Sequence, residues 1–320
     1  MQILVTGASG FVGSKTCPYL SHLGYKVTAF SRSSCSFNSA INLIKSESLA
    51  TISLLDKSFQ GIDCVIHLAG RAHFNAKHSS KKEIELFKDN VTDTIKFASH
   101  CAEKSVKRFI FISSIKVNGE STNNSNPFNE KDIPKPKGAY AISKYQTELR
   151  LLEIAKNSTM EVVIIRPPLI YGYGVKGYFG NLLWIIKKGI PLPFGSITNN
   201  LRSFIYLENF LNFLDIVIKH PKAANNIFIC SDQNDISTAE LLTYLYEGMH
   251  EKSSLFRISP FILKKASYLI RKGNLYEKIS NSLVVNSSKA TSLLGWNPAI
   301  DFPFAIKKVA QEYYIKSNSS

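Results

Sequence analysis

Thr6-Gly7-Ala8-Ser9-Gly10-Phe11-Val12-Gly13 is the stretch that decides how this chain folds. It follows an apolar run, Ile3–Thr6, and leads into a helix-compatible segment, Ser14–Leu20. A pyrophosphate site needs a tight turn, backbone that can be approached closely, and a helix N-terminus aimed at negative charge. Gly7, Gly10 and Gly13 meet those needs, so the octet predicts a dinucleotide cofactor, with Phe11 and Val12 among the residues that contact it.

Apolar, β-branched runs recur at Lys26–Ser31, Asp63–Leu68, Arg108–Ser113, Glu161–Arg166 and Asn225–Cys230. Helical periodicity fills most of the intervals; Leu86, Val91, Ile95 and Ala98, for example, would share one face. Apolar strands alternating with helices predict an α/β fold, a Rossmann doubly wound parallel sheet. From Pro167 the alternation is broken by Gly172, Gly174, Gly177, Gly180, Pro191 and Pro193, and longer helical patterns follow at Ala239–Tyr246 and Phe261–Ile270. A smaller C-terminal substrate-binding lobe is expected there. The dinucleotide-binding part is read as 1–170 plus about 205–232, and the lobe as 171–204 and 233–320. Ser259–Lys272 is basic and amphipathic; it is read as a lobe helix with a solvated lysine face, in preference to a membrane-surface helix.

Composition narrows the function classes. No apolar run approaches the length that crosses a bilayer, and the N-terminus has no basic segment or cleavage site, so no integral membrane segment and no secretion are expected. The five cysteines are scattered and never spaced as Cys-x-x-Cys. That argues against disulfides and a metal site, and for a reducing, cytoplasmic setting. Cys64 and Cys230 sit in apolar runs and read as packing residues. The net charge of +15 comes from lysines spread along the chain, with no nucleic-acid module. It reads as a basic solvated surface biased toward anionic substrates and away from nucleic acid.

The end of the second strand bears on the cofactor. An acid there accepts from the ribose 2′-hydroxyl and repels a 2′-phosphate. Here Ser31-Arg32 stands instead, and a guanidinium can pair with phosphate through two parallel hydrogen bonds. NADP(H) is therefore favoured, with NAD(H) possible if Arg32 is a surface residue or stacks on adenine.

Tyr140 and Lys144 are one helical turn apart in Tyr-Ala-Ile-Ser-Lys and project from one face. An ammonium nearby stabilises phenolate, which would lower the tyrosine pKa and suit Tyr140 to acid–base work on a sugar oxygen. Lys144 would also hold the nicotinamide ribose. The strand Phe109–Ile112 runs into Ser113-Ser114 at the carboxyl edge of the sheet, where open α/β sheets bind ligands. Ser114 can hydrogen-bond the same oxygen. Glycine loop, strand-end serine and Tyr/Lys helix follow in the right order.

With those residues placed, the chain resembles the extended short-chain dehydrogenase/reductases, in particular the NAD-dependent epimerase/dehydratase branch. The resemblance runs over essentially the whole length and adds His67-Leu68-Ala69-Gly70, Asn90, Arg166-Pro167 and Leu294-Gly295-Trp296-Asn297-Pro298. Within the branch it looks most like bacterial UDP-glucose 4-epimerase-like enzymes and UDP-N-acetylquinovosamine dehydrogenases of polysaccharide clusters. The resemblance implies that Leu68, Ala69, Gly70 and Pro167 contact the cofactor. It implies that Arg71, Ser114, Lys116, Asn181, Leu182 and Arg202 contact the UDP-sugar, with Arg202 on the diphosphate. It also implies a homodimer. Three departures touch these motifs: Asn118 within Val117-Asn118-Gly119, Leu169 after Arg166, and Ser31-Arg32 itself.

Three chemistries share hydride exchange at sugar C4. In this branch 4,6-dehydratases carry Asp-Glu after the active-site Ser/Thr, and Ile115-Lys116 supplies no carboxylate. An exchanging NADP(H) favours a 4-ketoreductase that forms UDP-N-acetylquinovosamine from a UDP-4-keto-6-deoxy-N-acetylhexosamine for surface polysaccharide (O-antigen). The alternative is a UDP-hexose or UDP-N-acetylglucosamine 4-epimerase.

Overall fold

The structure, a computed structural model, describes residues 1–33, 35–46, 48–49, 60–71, 87–122, 126–271 and 273–318. At its centre lies β1 (Gln2–Thr6), paired in parallel with β2 (Lys26–Ser31) on one side and β4 (Cys64–His67) on the other. Beyond β2 comes β3 (Ile41–Lys45); beyond β4 come β5 (Arg108–Ile112), β6 (Glu161–Ile165) and β9 (Ile227–Phe228). All six pairings of this seven-stranded sheet are parallel. The chain moves outward from β1 through β3 and then returns to β4, so the loops after β1 and β4 diverge and leave a crevice at the carboxyl edge.

The inner strands β4 and β5 are buried along their whole length, which is why they read as unbroken apolar runs. On one face pack α1 (Gly13–His22), through Cys17 and Leu20, and α5 (Leu207–Lys219), through Phe210 and Leu214. On the other pack α2 (Asp93–Glu103), through Phe97, Ala98 and Cys101, and α3 (Gly138–Lys156), through Leu151. A separate core forms where β7 (Leu169–Tyr171) and β8 (Phe204–Tyr206) pair beside α4 (Gly177–Lys187), α6 (Thr238–Gly248) and α9 (Phe302–Asn318). Tyr171, Phe204 and Phe302 meet ring to ring at its heart.

Several local expectations change. β3 was not foreseen: it is the sheet edge, mostly exposed, and its Ile-Asn-Leu-Ile-Lys lacks an apolar run. The strand expected over Asn225–Cys230 shrinks to Ile227–Phe228, because Asn225 turns left-handed (φ 56°) and its side chain accepts from Val162 N at 2.9 Å. Of the face expected from Leu86 to Ala98, Leu86 lies outside the described residues, Val91 and Ala98 are buried and Ile95 is half-buried. Cys64 and Cys230 are buried thiols, and burial pushes Cys64 up to about 12.

The largest correction concerns α7 (Pro260–Leu269). Its outward face is not a lysine face alone: Phe261 and Leu269 are 64% and 85% exposed. Among the described residues no helix is long and apolar enough to cross a membrane.

Candidate functional site

At the crevice, Gly7 takes φ +72°, and a Cβ there would stand 2.7 Å from Ala69 N and 2.9 Å from the carbonyl carbon of Leu68. Only glycine lets the loops after β1 and β4 touch. A Cβ on Gly13 would collide with the Gly7 carbonyl, so this glycine lets α1 abut the loop. Gly10 differs: it is exposed, donates to Gly7 O at 2.9 Å, and a Cβ there would stand 3.1 Å from that same oxygen. Among the described residues no side chain caps the α1 N-terminus. Half-buried Phe11 and Val12 pack on the core beneath it. An open cradle under an uncapped helix end fits a pyrophosphate.

Beside the cradle, Thr6 Oγ1 lies 3.0 Å from His67 Nδ1, and His67 Nε2 lies 3.1 Å from Thr94 Oγ1. The imidazole stacks on Phe109 and Phe111. Burial, aided by the Lys144 charge, pulls His67 down to about 3, so it is a neutral packing element.

At the end of β2, Ser31 is buried, its Oγ 2.8 Å from both Ser9 Oγ and the Ser33 carbonyl. It braces the glycine loop. Arg32 is half-exposed, with Nη1 3.5 Å from Asp89 Oδ2. Arg71 Nε sits 2.7 Å from the same oxygen. The carboxylate missing from the β2 end is thus brought in by Asp89, from the turn Lys88–Thr92. Sequence reading missed it because the turn is 57 residues from Arg32 and marked by no motif. Arg71, expected on the substrate side, pairs with the same carboxylate as Arg32. Asn90 ties this corner to α3: its side chain takes Arg71 N at 2.9 Å and reaches Ser143 Oγ at 3.3 Å.

The three residues expected to handle the reacting oxygen come together. Ser114, extended (φ −158°) at the start of the short turn Ile115–Val117, accepts from Lys116 N and hydrogen-bonds the Tyr140 hydroxyl. Lys144 is buried one turn further along α3; its Nζ donates to Ile112 O at 2.8 Å and lies 4.5 Å from the Phe111 ring centroid. A Cβ on Gly70 would stand 3.4 Å from that Nζ, so Lys144 reaches the β4 loop, where Leu68 and Ala69 are half-buried. Pro167 is buried, and its carbonyl accepts from Ile115 N at 3.0 Å, just behind Ser114.

One electrostatic expectation is corrected. Burial pushes Tyr140 up to about 12, outweighing the pull of its bond from Ser114. Burial also pulls Lys144 itself down to about 8, opposed by Glu148.

Sequence reading missed Glu148. It follows Tyr140 and Lys144 at the same spacing of four and takes Arg166 side-on, Nε to Oε1 at 3.0 Å and Nη2 to Oε2 at 2.6 Å. Ser113 Oγ donates to the same carboxylate, and Arg166 Nη1 donates to Asn118 Oδ1 at 3.0 Å. Asn118 is therefore a buried brace, not a ligand-facing departure.

In the lobe, Arg202 Nη1 donates to the carbonyls of Lys278 and Asn281, each at 3.0 Å. Burial lowers its pKa, while neighbouring Tyr178 raises it. Half-buried Lys116 feels the charges of Arg202 and Lys278 as well as Glu120. Lys116 and Arg202 thus form one cationic corner. Asn181 is exposed on α4, but Leu182 is 4% exposed and packs into the lobe core, so its side chain does not line an open site.

A profile of the NAD dependent epimerase/dehydratase family matches residues 3–230. A UDP-glucose 4-epimerase of Vibrio cholerae is 35% identical over 319 residues, covering 99% of this chain and 97% of its own. Among solved structures, the UDP-glucose 4-epimerase of Thermotoga maritima with UDP-glucose superimposes with a TM-score of 0.80 at 22% identity, covering all of both chains. The UDP-glucuronic acid 4-epimerase of Bacillus cereus in complex with NAD gives 0.79, also at 22% identity and with all of both chains covered.

Proposed function

The chain belongs to the NAD dependent epimerase/dehydratase family, as an enzyme of the extended short-chain dehydrogenase/reductases, and on that footing we propose that it is a UDP-hexose or UDP-N-acetylhexosamine 4-epimerase using NAD(H). The observation that carries the choice of cofactor is Asp89, whose carboxylate lies 3.5 Å from Arg32 and brings to the β2 end the acid that accepts from a ribose 2′-hydroxyl.

In this reading Gly10 and the α1 N-terminus hold the pyrophosphate, Leu68, Ala69, Gly70 and Pro167 border the dinucleotide, and Lys144 holds the nicotinamide ribose. Lys116 and Arg202 draw in the diphosphate, and Asn181 lies at the edge of the same lobe. A bound nicotinamide supplies the hydride-accepting carbon and, when oxidised, a positive charge that favours the Tyr140 phenolate. Tyr140 takes the C4 hydroxyl proton and returns it after the sugar presents its other face, while Ser114 holds the C4 oxygen. Residues 1–170 and about 205–232 form the dinucleotide part in this scheme, the remainder the substrate lobe, and two copies pair as a homodimer.

A second reading keeps Arg32 as a 2′-phosphate ligand: an NADP(H)-dependent 4-ketoreductase forming UDP-N-acetylquinovosamine for O-antigen. Its support is that Arg32 stands at the β2 end, half-exposed. Purified protein with UDP-glucose or UDP-N-acetylglucosamine separates the two. Interconversion at C4 with no added reductant supports the epimerase. Stoichiometric NADPH consumption on the 4-keto-6-deoxy sugar, with no epimerisation, overturns it.

A further inference from the structure

From Lys252 to Tyr276 the chain carries Lys252, Arg257, Lys264, Lys265, Arg271 and Lys272 and not one acidic residue. In the middle lies α7, and its two faces are used in an unusual way. Leu263 and buried Ser267 point inward, Leu263 onto the cluster of Ile197, Tyr276 and Ile279. The opposite face holds Phe261, Ile262, Tyr268 and Leu269, all more than half exposed, and Ile270 follows just past the helix end. Lys265 stands among them, 4.5 Å from the Phe261 ring centroid, with Lys264 at the flank. The helix is fixed in this pose: Tyr276 OH donates to Pro260 O at 2.9 Å and Tyr268 OH to Glu277 Oε1 at 2.6 Å.

A contiguous apolar patch on a folded surface marks a site of interaction. We propose that α7 docks on an anionic phospholipid surface, laying Phe261, Ile262 and Leu269 at the acyl boundary with the lysines among the headgroups. Long apolar side chains interleaved with basic ones are what an interfacial helix needs, because lysine stems lie along the apolar zone while the ammonium stays wet. The charge selects this occupant over a second copy of the chain. Two such faces placed together would oppose Lys264 and Lys265 with their equivalents, whereas acidic lipids neutralise them. Docking also places the substrate side at the bilayer: α8 (Gly273–Ser280) packs on α7 and supplies, at Lys278, a carbonyl that binds Arg202.

The test is flotation of the full chain at low salt with vesicles of phosphatidylethanolamine and phosphatidylglycerol, and separately of phosphatidylcholine alone. The wild type is expected to partition onto the acidic vesicles about tenfold better or more. Ile262→Glu/Leu269→Glu, at two exposed positions, and Lys264→Glu/Lys265→Glu should each lose about tenfold of that partition. Both should keep the wild-type melting curve and turnover of UDP-hexose. Absent or equal binding to the two vesicle types, or binding untouched by either variant, overturns the proposal. So does a lipid-free dimer seen in sedimentation velocity that Leu269→Glu dissolves, since it would assign the face to a second copy. Because the readout is flotation, failure of the epimerase reading leaves the result standing.

Discussion

Arg166 meets Glu148 edge to edge, two nitrogens to two oxygens, with both side chains almost wholly out of water. The pair joins the end of β6 to the helix that carries Tyr140 and Lys144, and through Ser113 and Asn118 it also holds the end of β5. Removing one partner leaves a buried charge uncompensated, which costs about 3–5 kcal/mol. Arg166→Met should therefore lower urea-unfolding stability by that amount, and Arg166→Met/Glu148→Leu should recover part of it. A single variant as stable as wild type would show that the pair is not what fixes this corner.

Tyr140→Phe keeps the ring and removes the hydroxyl that meets Ser114. Turnover should fall roughly 10²–10⁴-fold, the usual worth of a positioned proton donor, with cofactor affinity and melting temperature little changed. Steady-state rates and a cofactor titration decide it; near-normal turnover on every nucleotide sugar would remove Tyr140 from the chemistry.

The glycines of the loop should separate by mechanism. Gly10→Val sets a Cβ 3.1 Å from Gly7 O, a contact that a small shift of the exposed turn relieves, and fills the cradle, so the protein should fold and fail to bind cofactor. Gly7→Ala forces a Cβ to within 2.7 Å of Ala69 N at a positive φ, so it should destabilise the fold as well. Calorimetric titration with thermal melting reads both, and equal melting temperatures would contradict the loop contact.

Cofactor choice should respond to Asp89. Asp89→Asn removes the carboxylate charge beside Arg32, and the ratio of NADPH to NADH affinity should rise about fivefold, the scale of a partly exposed ion pair. Arg32→Asp should move the ratio the other way. If neither moves it, the β2 end does not select the cofactor.

His67 gives a pH signature. Its folded pKa, about 3, lies below the ordinary 6.5, so above pH 6.5 it is neutral in both folded and unfolded chains. Below 6.5 the unfolded chain binds a proton that the folded one refuses, and stability falls by up to about 1.4 kcal/mol per pH unit. Between pH 7 and 5 the wild type should lose about 2 kcal/mol more than His67→Gln, measured by urea unfolding at each pH. Parallel losses would show that His67 takes its proton while folded.

The inner sheet and the glycine loop were legible because their signals are local: unbroken apolar runs, and glycines spaced for one turn. Tyr140 and Lys144 were legible for the same reason. Glu148 and Asp89 were not, since each gains its meaning from an arginine 18 or 57 residues away that only the fold brings near. The edge strand β3 escaped because three of its five residues are exposed to water. The outward face of α7 was misread because periodicity shows that two faces differ, not which one meets the core.

Tyr140, Lys144 and Glu148 repeat every fourth residue on one helix, the first at Ser114, the second at Ile112 and the third at Arg166. Each added or deleted residue within that span would turn everything beyond it by about 100°. The segment is therefore a ruler in evolutionary terms: its sequence can drift by substitution, while its length is frozen.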